Sequence, residues 1–548
     1  MKLFVYILAL FLFAACYEDK GNYDYATINK IAVGLDEAYS YRLDKDTTVT
    51  IVPRLIQSLQ ETKENLKYIW LHSIVNHNFY GHGKFDTVGT EENLRFHIDP
   101  NDEKLSYTHY FRLNVYDEQT GIEYPVNTTI KLIKPYDGAW MVLHAKDGQT
   151  ELGTVEYVGG KMVVTEDAYY KETGKRFQGR PLCLGQFRGS CKYYGTGSGW
   201  NMFSVITDQP REAGVYCQWK KFQKMDSLER MVAPTIRGSF DYQHVEMIDA
   251  GSSWGAFCLS GGVFYQIPSA MKIYKAPVSP DLSGSLNVTL GAKVGFSSLL
   301  YDQAGHRFCF YHNTNRNSSY DPNIFNESKD NPTTYSLKPI PVRDGNVRVV
   351  NPGQLSRDQK MLYVGAGYQF EDITTGFYGY GLSMKGQDSC FVYEFNMRGV
   401  LSADYPSFTG YYSLKAPQGL DENSCFASTR SYSGILFYAA GNKVYRLDFK
   451  QAGGKATLVY THTGGKALKM KFARKGTVED DDSGKILYTD YEFDLNQSLG
   501  IAFDMGNGKN DFVILNLSAT GAIGADSENY PAKQVYTDFG EINDFLFL

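Results

Sequence analysis

Two short motifs contain the residue types of nucleophilic catalysis. The stretch Gly251-Ser252-Ser253-Trp254-Gly255 fits G-x-S-x-G, in which a serine hydroxyl is exposed on a sharp turn between a strand and a helix. Here an apolar hairpin pattern follows instead of a helix, so we expect an ordinary turn. The stretch Ser269-Ala270-Met271-Lys272 fits S-x-x-K, but the companion motifs of that enzyme class are absent from the sequence. We therefore expect no catalytic residue in either motif.

Three stretches contain side chains that commonly bind metal ions. His72, His77 and His82 recur every five residues, a spacing that does not bring imidazoles to one face of a helix, and the sequence has no H-E-x-x-H motif. The acidic stretches 479–483 and 504–511 have the oxygen ligands that calcium prefers, but not the spacing of an EF-hand loop. We expect solvated loops here, with no bound metal and no cofactor.

Pairs of carboxylates leave one catalytic alternative open. Glycoside hydrolysis needs two carboxyl groups on either side of the scissile bond, and a chain with 61 acidic residues offers many such pairs. Their separation in space cannot be deduced from the sequence. A surface hydrolase acting on glycan or peptide therefore remains the alternative to a non-catalytic protein.

Aromatic and amide-rich stretches are better candidates for binding. The stretch Asn313–Tyr335 lacks strand periodicity and Gly367–Gly386 is rich in aromatic residues, and we expect both to be long inserted loops. Tyrosine and phenylalanine rings can stack on sugars or pack against peptide side chains, and asparagine supplies hydrogen bonds. These aromatic residues could instead pack the strands beneath them or contact a neighbouring protein. The candidate ligand or partner contacts are Tyr320, Phe325, Tyr335, Tyr368, Phe370, Phe377, Tyr378 and Tyr380.

A repeated hairpin is the element that would position these loops. In Ser433–Phe449 an apolar run, a Gly441-Asn442 turn and an alternating run predict two antiparallel strands. Ser253–Ile267 has the same form with Gly261-Gly262 at its turn, and Trp140–Val155 and Leu499–Leu517 are looser copies. The unit therefore repeats along most of the chain.

The repeat predicts a β-propeller of about seven blades over residues 135–548. Its copies are about 50–75 residues apart, which fits four-stranded blades with a period of roughly 40–50 residues lengthened by loop insertions. A large β-sandwich is the alternative. The expected centres of the first strands are Trp140, Met202, Cys258, Cys309, Leu362, Phe437 and Ala502.

Residues 25–134 have the pattern of a separate all-β domain. Short alternating strands are divided by polar turns, at the spacing of an immunoglobulin-like sandwich of about 100 residues. The expected strands are Lys30–Val33, Thr47–Val52, Tyr68–Leu71, Asn93–Ile98, Thr108–Tyr116 and Val126–Ile133.

The composition agrees with a β-rich globular protein. Hydrophobic residues make up 43% of the chain, charged residues 21% and aromatic residues 15%, with 53 glycines for turns. The net charge of −6 provides no basic surface for nucleic acid. Apart from Cys16, several of the seven cysteines lie within apolar strand patterns, which predicts small core residues rather than a disulfide framework. One pair, such as Cys183 with Cys191, could still form a disulfide in an oxidising location.

The first residues have the pattern of a secretory signal peptide. Lys2 precedes an apolar run over residues 3–13, and small residues follow, which predicts a signal peptide over residues 1–15. The stretch Phe13-Ala14-Ala15-Cys16 resembles a bacterial lipobox, and this resemblance implies that Cys16 carries a lipid anchor. Residues 16–24 would then form a polar tether. Its Glu18-Asp19 pair resembles the surface-export signal of Bacteroidetes lipoproteins, which implies a location on the outer membrane facing the cell exterior.

Three stretches of the N-terminal domain resemble the PKD-like module of Bacteroidetes surface lipoproteins. They are Tyr68-Ile69-Trp70, the turn region Gly89–Leu94, and Phe111–Asp117 with Thr120-Gly121. The chain lacks the WDFGDG-type core of a true PKD repeat. With the lipobox and the repeated hairpins, the whole chain resembles that lipoprotein family.

The resemblance also implies partners and a role. Such lipoproteins are associated with a TonB-dependent nutrient transporter and its lid lipoprotein, of the starch-utilisation type, and bind or present glycans or peptides. We therefore expect a non-catalytic accessory subunit of an uptake complex, with a peptide or oligosaccharide ligand. A surface hydrolase and a purely structural scaffold for other lipoproteins are the alternatives.

Overall fold

The computed structural model divides the chain into two compact units, one ending at Lys134 and the other beginning at Pro135. No helix in the described part of the chain is long and apolar enough to cross a bilayer. The structure describes residues 28–43, 46–60, 62–74, 85–100, 102, 105–106, 108–133, 136, 138–158, 161–187, 202–217, 221–248, 256–267, 274, 276–277, 279, 282–295, 297–312, 337–340, 350–369, 377–397, 406–473, 497–526, 531–537 and 539–548.

The N-terminal unit is an immunoglobulin-like sandwich. A five-stranded sheet has the order β2-β9-β8-β5-β6, and the pairs β1-β4 and β3-β7 form two smaller sheets. All the pairings are antiparallel except that of β2 with β9. The strands are β1 (Ile31–Gly34), β2 (Ala38–Arg42), β3 (Thr47–Ile51), β4 (Arg54–Gln57), β5 (Leu66–Ser73), β6 (Asp86–Gly89), β7 (Leu94–Ile98), β8 (Thr108–Asp117) and β9 (Ile122–Ile133).

Alternation along the strands builds the core of this unit. Every second residue of β8 is buried, including Phe111, Leu113 and Val115, because successive side chains point to opposite faces of a sheet. The fully buried Trp70 donates its indole N–H to the carbonyls of Glu91 and Glu92, both at 3.2 Å. The six predicted strands are confirmed. The prediction missed β2, β4 and β6, which are short and have no strong apolar alternation.

The second unit is a β-propeller of seven blades, each a separate antiparallel sheet. Its sheet orders, written from the innermost strand outward, are blade 1 (β36-β10-β11-β12), blade 2 (β13-β14-β15-β16), blade 3 (β17-β18-β19), blade 4 (β20-β21-β22-β23), blade 5 (β24-β25-β26-β27), blade 6 (β28-β29-β30-β31) and blade 7 (β32-β33-β34-β35). Blade 3 has three strands among the described residues. The separate sheets correspond to the predicted propeller and not to a large sandwich.

The strands of the propeller are short, and two brief helices lie in connections between them. The strands of blades 1 to 3 are β10 (Trp140–Lys146), β11 (Gln149–Val158), β12 (Lys161–Thr165), β13 (Pro181–Phe187), β14 (Met202–Thr207), β15 (Gly214–Cys217), β16 (Gln223–Ser227), β17 (Val245–Ile248), β18 (Ala256–Ser260) and β19 (Val263–Ile267), and the helices are α1 (Ala168–Thr173) and α2 (Leu228–Met231). The remaining strands are β20 (Val288–Val294), β21 (Ser297–Asp302), β22 (Arg307–His312), β23 (Leu337–Pro339), β24 (Lys360–Gln369), β25 (Phe377–Lys385), β26 (Ser389–Asn396), β27 (Ser407–Lys415), β28 (Cys425–Ala427), β29 (Ile435–Ala440), β30 (Lys443–Asp448), β31 (Lys455–Thr461), β32 (Lys466–Phe472), β33 (Ser498–Gly506), β34 (Lys509–Asn516), β35 (Lys533–Tyr536) and β36 (Glu541–Phe547).

The predicted hairpins are confirmed, but the phase of the repeat was wrong in two blades. The turn of β18 and β19 has positive φ at both Gly261 (56°) and Gly262 (78°), a backbone that glycine adopts without strain. Five of the expected centres lie on the second strand of a blade. Cys309 instead lies on the third strand of blade 4, and Leu362 lies on the first strand of blade 5.

The prediction that Gly367–Gly386 is an inserted loop was wrong for most of that stretch. It contains the end of β24 and the whole of β25. Glycines obscured the strand pattern, and they are there because neighbouring side chains pack against the backbone. A Cβ at Gly381 would lie 2.4 Å from the ring of Phe308, and one at Gly379 would lie 2.9 Å from Leu299, so blade 4 occupies the space that side chains would need.

The last strand of the chain closes the ring of blades. Strand β36 pairs with β10, so that Trp140 lies opposite Phe547. The Trp140 ring lies edge-on to Phe545 and Phe547, at centroid distances of 5.9 and 5.5 Å, and Phe545 also lies 5.0 Å from Phe512 of blade 7. These aromatic contacts join the first and last blades through the C-terminal strand.

We expect Phe545→Ala to destabilise the propeller by about 3–5 kcal/mol, because it removes a fully buried ring and leaves a cavity at the closure. Chemical denaturation of the full chain measures this. Val535→Ala is the control, since Val535 lies on the outer strand of blade 7 with 40% of its surface exposed, and should change stability by less than about 1 kcal/mol. Equal losses in the two variants would contradict the assignment of β36 as the closing strand.

A pair of histidines, of which His109 is buried and His72 is half-buried, predicts a pH dependence for the N-terminal unit. His72 Nε2 lies 2.9 Å from His109 Nδ1, and the rings of Phe96 and Phe111 surround the pair. Burial, as the largest effect, and the neighbouring His72, as the second, lower the pKa of His109 to about 4. Burial also lowers the pKa of His72, whereas Asp86 raises it. The folded pair therefore stays neutral at pH values where the unfolded chain is protonated.

Stability should fall as the pH falls from about 6.5 to about 4, since over that range the unfolded state binds more protons than the folded state. We expect a loss of about 1–3 kcal/mol that His109→Gln largely abolishes. Denaturation at pH 7 and pH 5 compares the variant with the wild type. The control His97→Gln, at an exposed histidine paired with Asp46, should keep the wild-type slope. Identical slopes in all three proteins would refute this origin of the pH dependence.

Candidate functional site

The innermost strands of the blades carry four charged side chains that line the central channel. These strands are β36, β13, β17, β20, β24, β28 and β32. Blade 1 contributes Asp544, blade 7 contributes Lys469 and Lys471, and blade 3 contributes Glu246. We call these four residues the channel cluster. Lys469 and Lys471 share one face of β32 because side chains alternate along a strand.

Asp544 is the centre of the channel cluster. Its side chain is 2% exposed, and its Oδ1 accepts hydrogen bonds from the ammonium groups of Lys471 (2.6 Å) and Lys469 (3.1 Å) and from its neighbour's backbone N–H. Its Oδ2 accepts a bond from the backbone N–H of Leu184 at 2.9 Å. This one carboxylate therefore bonds to blade 7 on one side and to blade 2 on the other.

The electrostatics keep Asp544 and Lys469 charged. Burial alone would raise the pKa of Asp544, but the two ammonium groups and the hydrogen bonds lower it below its ordinary value. Burial would likewise lower the pKa of Lys469, but Asp544 and Glu246 raise it. At neutral pH Lys469 is therefore an ammonium ion, which can bind an anion but cannot act as a nucleophile.

Glu246 is the accessible carboxyl group of the channel cluster. It is exposed to solvent, although protein surrounds it closely enough that desolvation raises its pKa. Asp544 also raises this pKa, while Lys469 and Lys471 lower it. No ion pair joins Glu246 to another described residue, so its oxygens remain open to a ligand.

Five of the six described cysteines are buried core residues, as predicted, and Cys425 is half-buried. All six are free thiols, and Cys183 donates a hydrogen bond to the carbonyl of Val245 at 3.2 Å. Burial raises the pKa of Cys183 and of Cys390 to about 12, so neither is a thiolate at neutral pH. Cys191 lies outside the described residues, so the possible pair with Cys183 stays a prediction.

The predicted aromatic contacts fall into three groups. Phe377 and Tyr380 are buried between blades, so neither ring is open to a ligand. Tyr368 and Tyr378 are half-buried and close to this packing: the Tyr380 hydroxyl accepts a bond from the backbone N–H of Tyr368 at 3.5 Å, and the Lys450 ammonium lies 5.6 Å from the ring of Tyr378. The remaining predicted site residues, which lie outside the described residues, are Cys16, Tyr320, Phe325, Tyr335 and Phe370.

Some of the other sequence motifs lie within the described residues, and the rest lie outside them. The turn after Asp504 is a hairpin tip in which this carboxylate accepts a bond from the N–H of Gly506 at 2.8 Å. Within the described ranges, no three His, Cys, Asp or Glu side chains are arranged to hold a metal ion. The stretches 251–255, 269–272 and 479–483, with His77 and His82, lie outside them.

The channel cluster was not predicted, although the sequence contains a pattern that points to it. The pattern Leu468–Phe472 places two lysines between apolar strand residues, and Asp544 stands between Ile542 and Phe545 in a strand with several aromatic residues. A charge within such a strand needs a buried partner, because an unpaired charge is costly to remove from water. The partners lie more than 70 residues apart in the chain, so the pairing could not be derived from sequence spacing.

Asp544→Asn should destabilise the propeller by about 3–5 kcal/mol, because it leaves two partly buried ammonium groups facing a neutral amide. Thermal and chemical denaturation of the full chain would show the loss. The same substitution at Asp388, an exposed aspartate in the turn between β25 and β26, is the control and should have little effect. A loss below about 1 kcal/mol at Asp544 would contradict its role as the centre of the cluster.

Solved structures with similar strand arrangements come from several organisms. A quinonprotein alcohol dehydrogenase-like protein of Bacteroides thetaiotaomicron is 9% identical, with 93% of this chain and 96% of that chain covered and a TM-score of 0.40. Apo AztD of Citrobacter koseri is 10% identical, covers 80% and 94%, and has a TM-score of 0.36. A Bacteroides thetaiotaomicron protein of unknown function is 9% identical, covers 90% and 99%, and has a TM-score of 0.28. Likenesses of this level add no argument to the sheet order described above.

The sequence itself gives one family match. No curated protein matches the chain significantly. The model of the PKD-like family matches residues 16–181, a range that covers the sandwich and continues into the first strands of the propeller. The N-terminal part of this chain therefore carries a PKD-like domain.

Proposed function

We propose that this protein is a lipid-anchored outer-membrane lipoprotein whose propeller binds or presents a peptide or glycan, without catalysis, for a TonB-dependent transporter and its lid lipoprotein. The main support is the channel cluster, in which Asp544 holds Lys469 and Lys471 on the innermost strands of the propeller. The PKD-like match and the lipobox-like sequence at Cys16 support the placement at the cell surface.

The chemistry of the channel cluster suits binding. Lys469 is held as an ammonium ion by Asp544, and Asp544 has both of its oxygens occupied by hydrogen bonds. Groups held in this way provide fixed charge without being available for proton transfer or nucleophilic attack. A preorganised set of charges on strands, rather than on loops, can bind a ligand with little loss of conformational entropy.

The lipid anchor has a direct test. We expect Cys16→Ala to move the protein from the membrane fraction to the soluble fraction, because the thiol that would carry the acyl chains is lost. Immunoblotting of fractionated cells measures the distribution, and surface digestion by an added protease reports whether the wild type faces outward. Membrane retention of Cys16→Ala at the wild-type level would contradict lipid anchoring through this residue.

The transporter partnership is tested by purification from the native host. A chain with a C-terminal affinity tag, extracted from outer membranes in mild detergent, should recover a TonB-dependent transporter and its lid lipoprotein in stoichiometric amounts. Asp544→Asn and Glu246→Gln proteins would show whether the channel cluster contributes to that association. Recovery of the lipoprotein alone, from membranes in which the transporter is abundant, would overturn the accessory role.

One observation favours a hydrolase as the second candidate. The pKa of Glu246 is raised and that of Asp544 is lowered, and such a divergence between carboxyl groups is typical of an acid and base pair. Asp544, however, accepts hydrogen bonds from four donors and is 2% exposed. It therefore cannot reach a substrate as one member of such a pair. Glycan or peptide turnover that disappears in Glu246→Gln would nevertheless establish the hydrolase.

A further inference from the structure

The channel cluster balances its charges. Lys469 and Lys471 provide two ammonium groups from blade 7, and Asp544 and Glu246 provide two carboxyl groups from blades 1 and 3. Asp544 lies against the lysines and is buried, whereas Glu246 is exposed on a separate strand. The channel cluster therefore presents an ammonium pair from one blade and an accessible carboxylate from another, and with Asp544 its four charges balance.

The lysines have donors beyond those that hold Asp544. An ammonium group has three N–H donors. Among the described contacts, Lys471 uses one for Asp544, while Lys469 uses one for Asp544 and one for the carbonyl of Asn543 at 3.2 Å. The side chains of Lys471 and Lys469 are 25% and 38% exposed, so the remaining donors can reach a solvent-borne carboxylate.

Glu246 offers the complementary acceptor. Its carboxyl group is exposed on β17, and no described residue forms an ion pair with it. A ligand ammonium group beside Glu246 would therefore meet a carboxylate that can accept its hydrogen bonds. Such a charge-assisted hydrogen bond is stronger than one between neutral groups.

We infer that the channel binds a zwitterionic ligand, namely a free amino acid or a short peptide with both termini free. The ligand carboxylate lies on Lys469 and Lys471, and its ammonium group lies on Glu246. This inference rests on the proposed binding function and selects peptide-like material over neutral glycan as the ligand class. A ligand with a net charge would unbalance the four charges of the channel cluster, whereas a zwitterion keeps them balanced and contacts both the lysines and Glu246.

The test measures binding by calorimetry to the purified full chain, with alanine, dialanine, trialanine and tetraalanine as probes and maltotriose as the neutral glycan. At least one of the four zwitterions should bind saturably. The N-acetylated and C-amidated forms of the best probe should bind about 10- to 100-fold more weakly, because each loses one charge-assisted contact. Maltotriose should bind no better than these capped forms.

Glu246→Gln locates the ammonium contact. This variant should weaken binding of the free peptide by about 10- to 100-fold and leave binding of the N-acetylated peptide unchanged, since that peptide has no charge for Glu246 to recognise. Glu541→Gln, which removes an exposed carboxylate from the inner strand β36 outside the channel cluster, is the matched control and should bind like the wild type. Thermal melting of each variant verifies that it is folded.

Several results would overturn the inference. Failure of all four zwitterions to bind, tighter binding of maltotriose, or equal losses for free and N-acetylated peptide in Glu246→Gln would each do so. These outcomes are distinct from failure of the proposed function. A protein that binds maltotriose and co-purifies with the transporter keeps its accessory role and loses only the zwitterion selectivity, whereas one that binds peptide but never co-purifies keeps the site and loses the partnership.

Discussion

The propeller depends on how its ring is closed, and the C-terminal strand does this with both apolar and charged contacts. Strand β36 completes blade 1, and its Phe545 packs against Trp140 of the same blade and Phe512 of blade 7. Asp544, the preceding residue, bonds to lysines of blade 7 and to the backbone of blade 2. Because side chains alternate along β36, adjacent residues serve opposite faces of the strand. The last strand of the chain thus joins three consecutive blades.

Blades 6 and 7 are also joined by polar contacts. The Tyr432 hydroxyl donates to the carbonyl of Ser518 at 2.7 Å, which connects the polypeptide of blade 6 to that of blade 7. His462 lies between Tyr460 and Asp511, with both ring nitrogens at 2.9 Å from a partner. Such bonds satisfy polar groups that packing would otherwise bury without a hydrogen-bond partner, and they fix one register between neighbouring sheets. The buried ion pairs at Asp544 add orientation more than stability, because the cost of desolvating the charges offsets much of their attraction.

Much of the architecture could be predicted from the sequence, because turns and alternation are local. Gly441 and Gly261 mark hairpins that the structure contains, and six strands of the sandwich were found within a few residues. The incorrect predictions also have physical causes. The glycines of β25 are present to accommodate Phe308 and Leu299 of another blade, so its strand pattern is visible only after the blades are packed. For the same reason the aromatic residues Phe377 and Tyr380 are interior, although their sequence pattern suggested a binding loop.

The candidate site was less predictable than the fold, since it unites residues from the third, seventh and first blades. We propose that Glu246 of this site receives the ammonium group of the ligand, and that the lysines receive its carboxylate. The most direct measurement is the pKa of Glu246, followed by carbon-13 NMR of glutamate-labelled protein with Glu246→Gln used to assign the signal, before and after addition of the tightest-binding alanine peptide. We expect this pKa to fall when the peptide binds, because a positive charge beside the carboxyl favours its ionised form. An unchanged or higher pKa in the saturated complex would contradict this proposal.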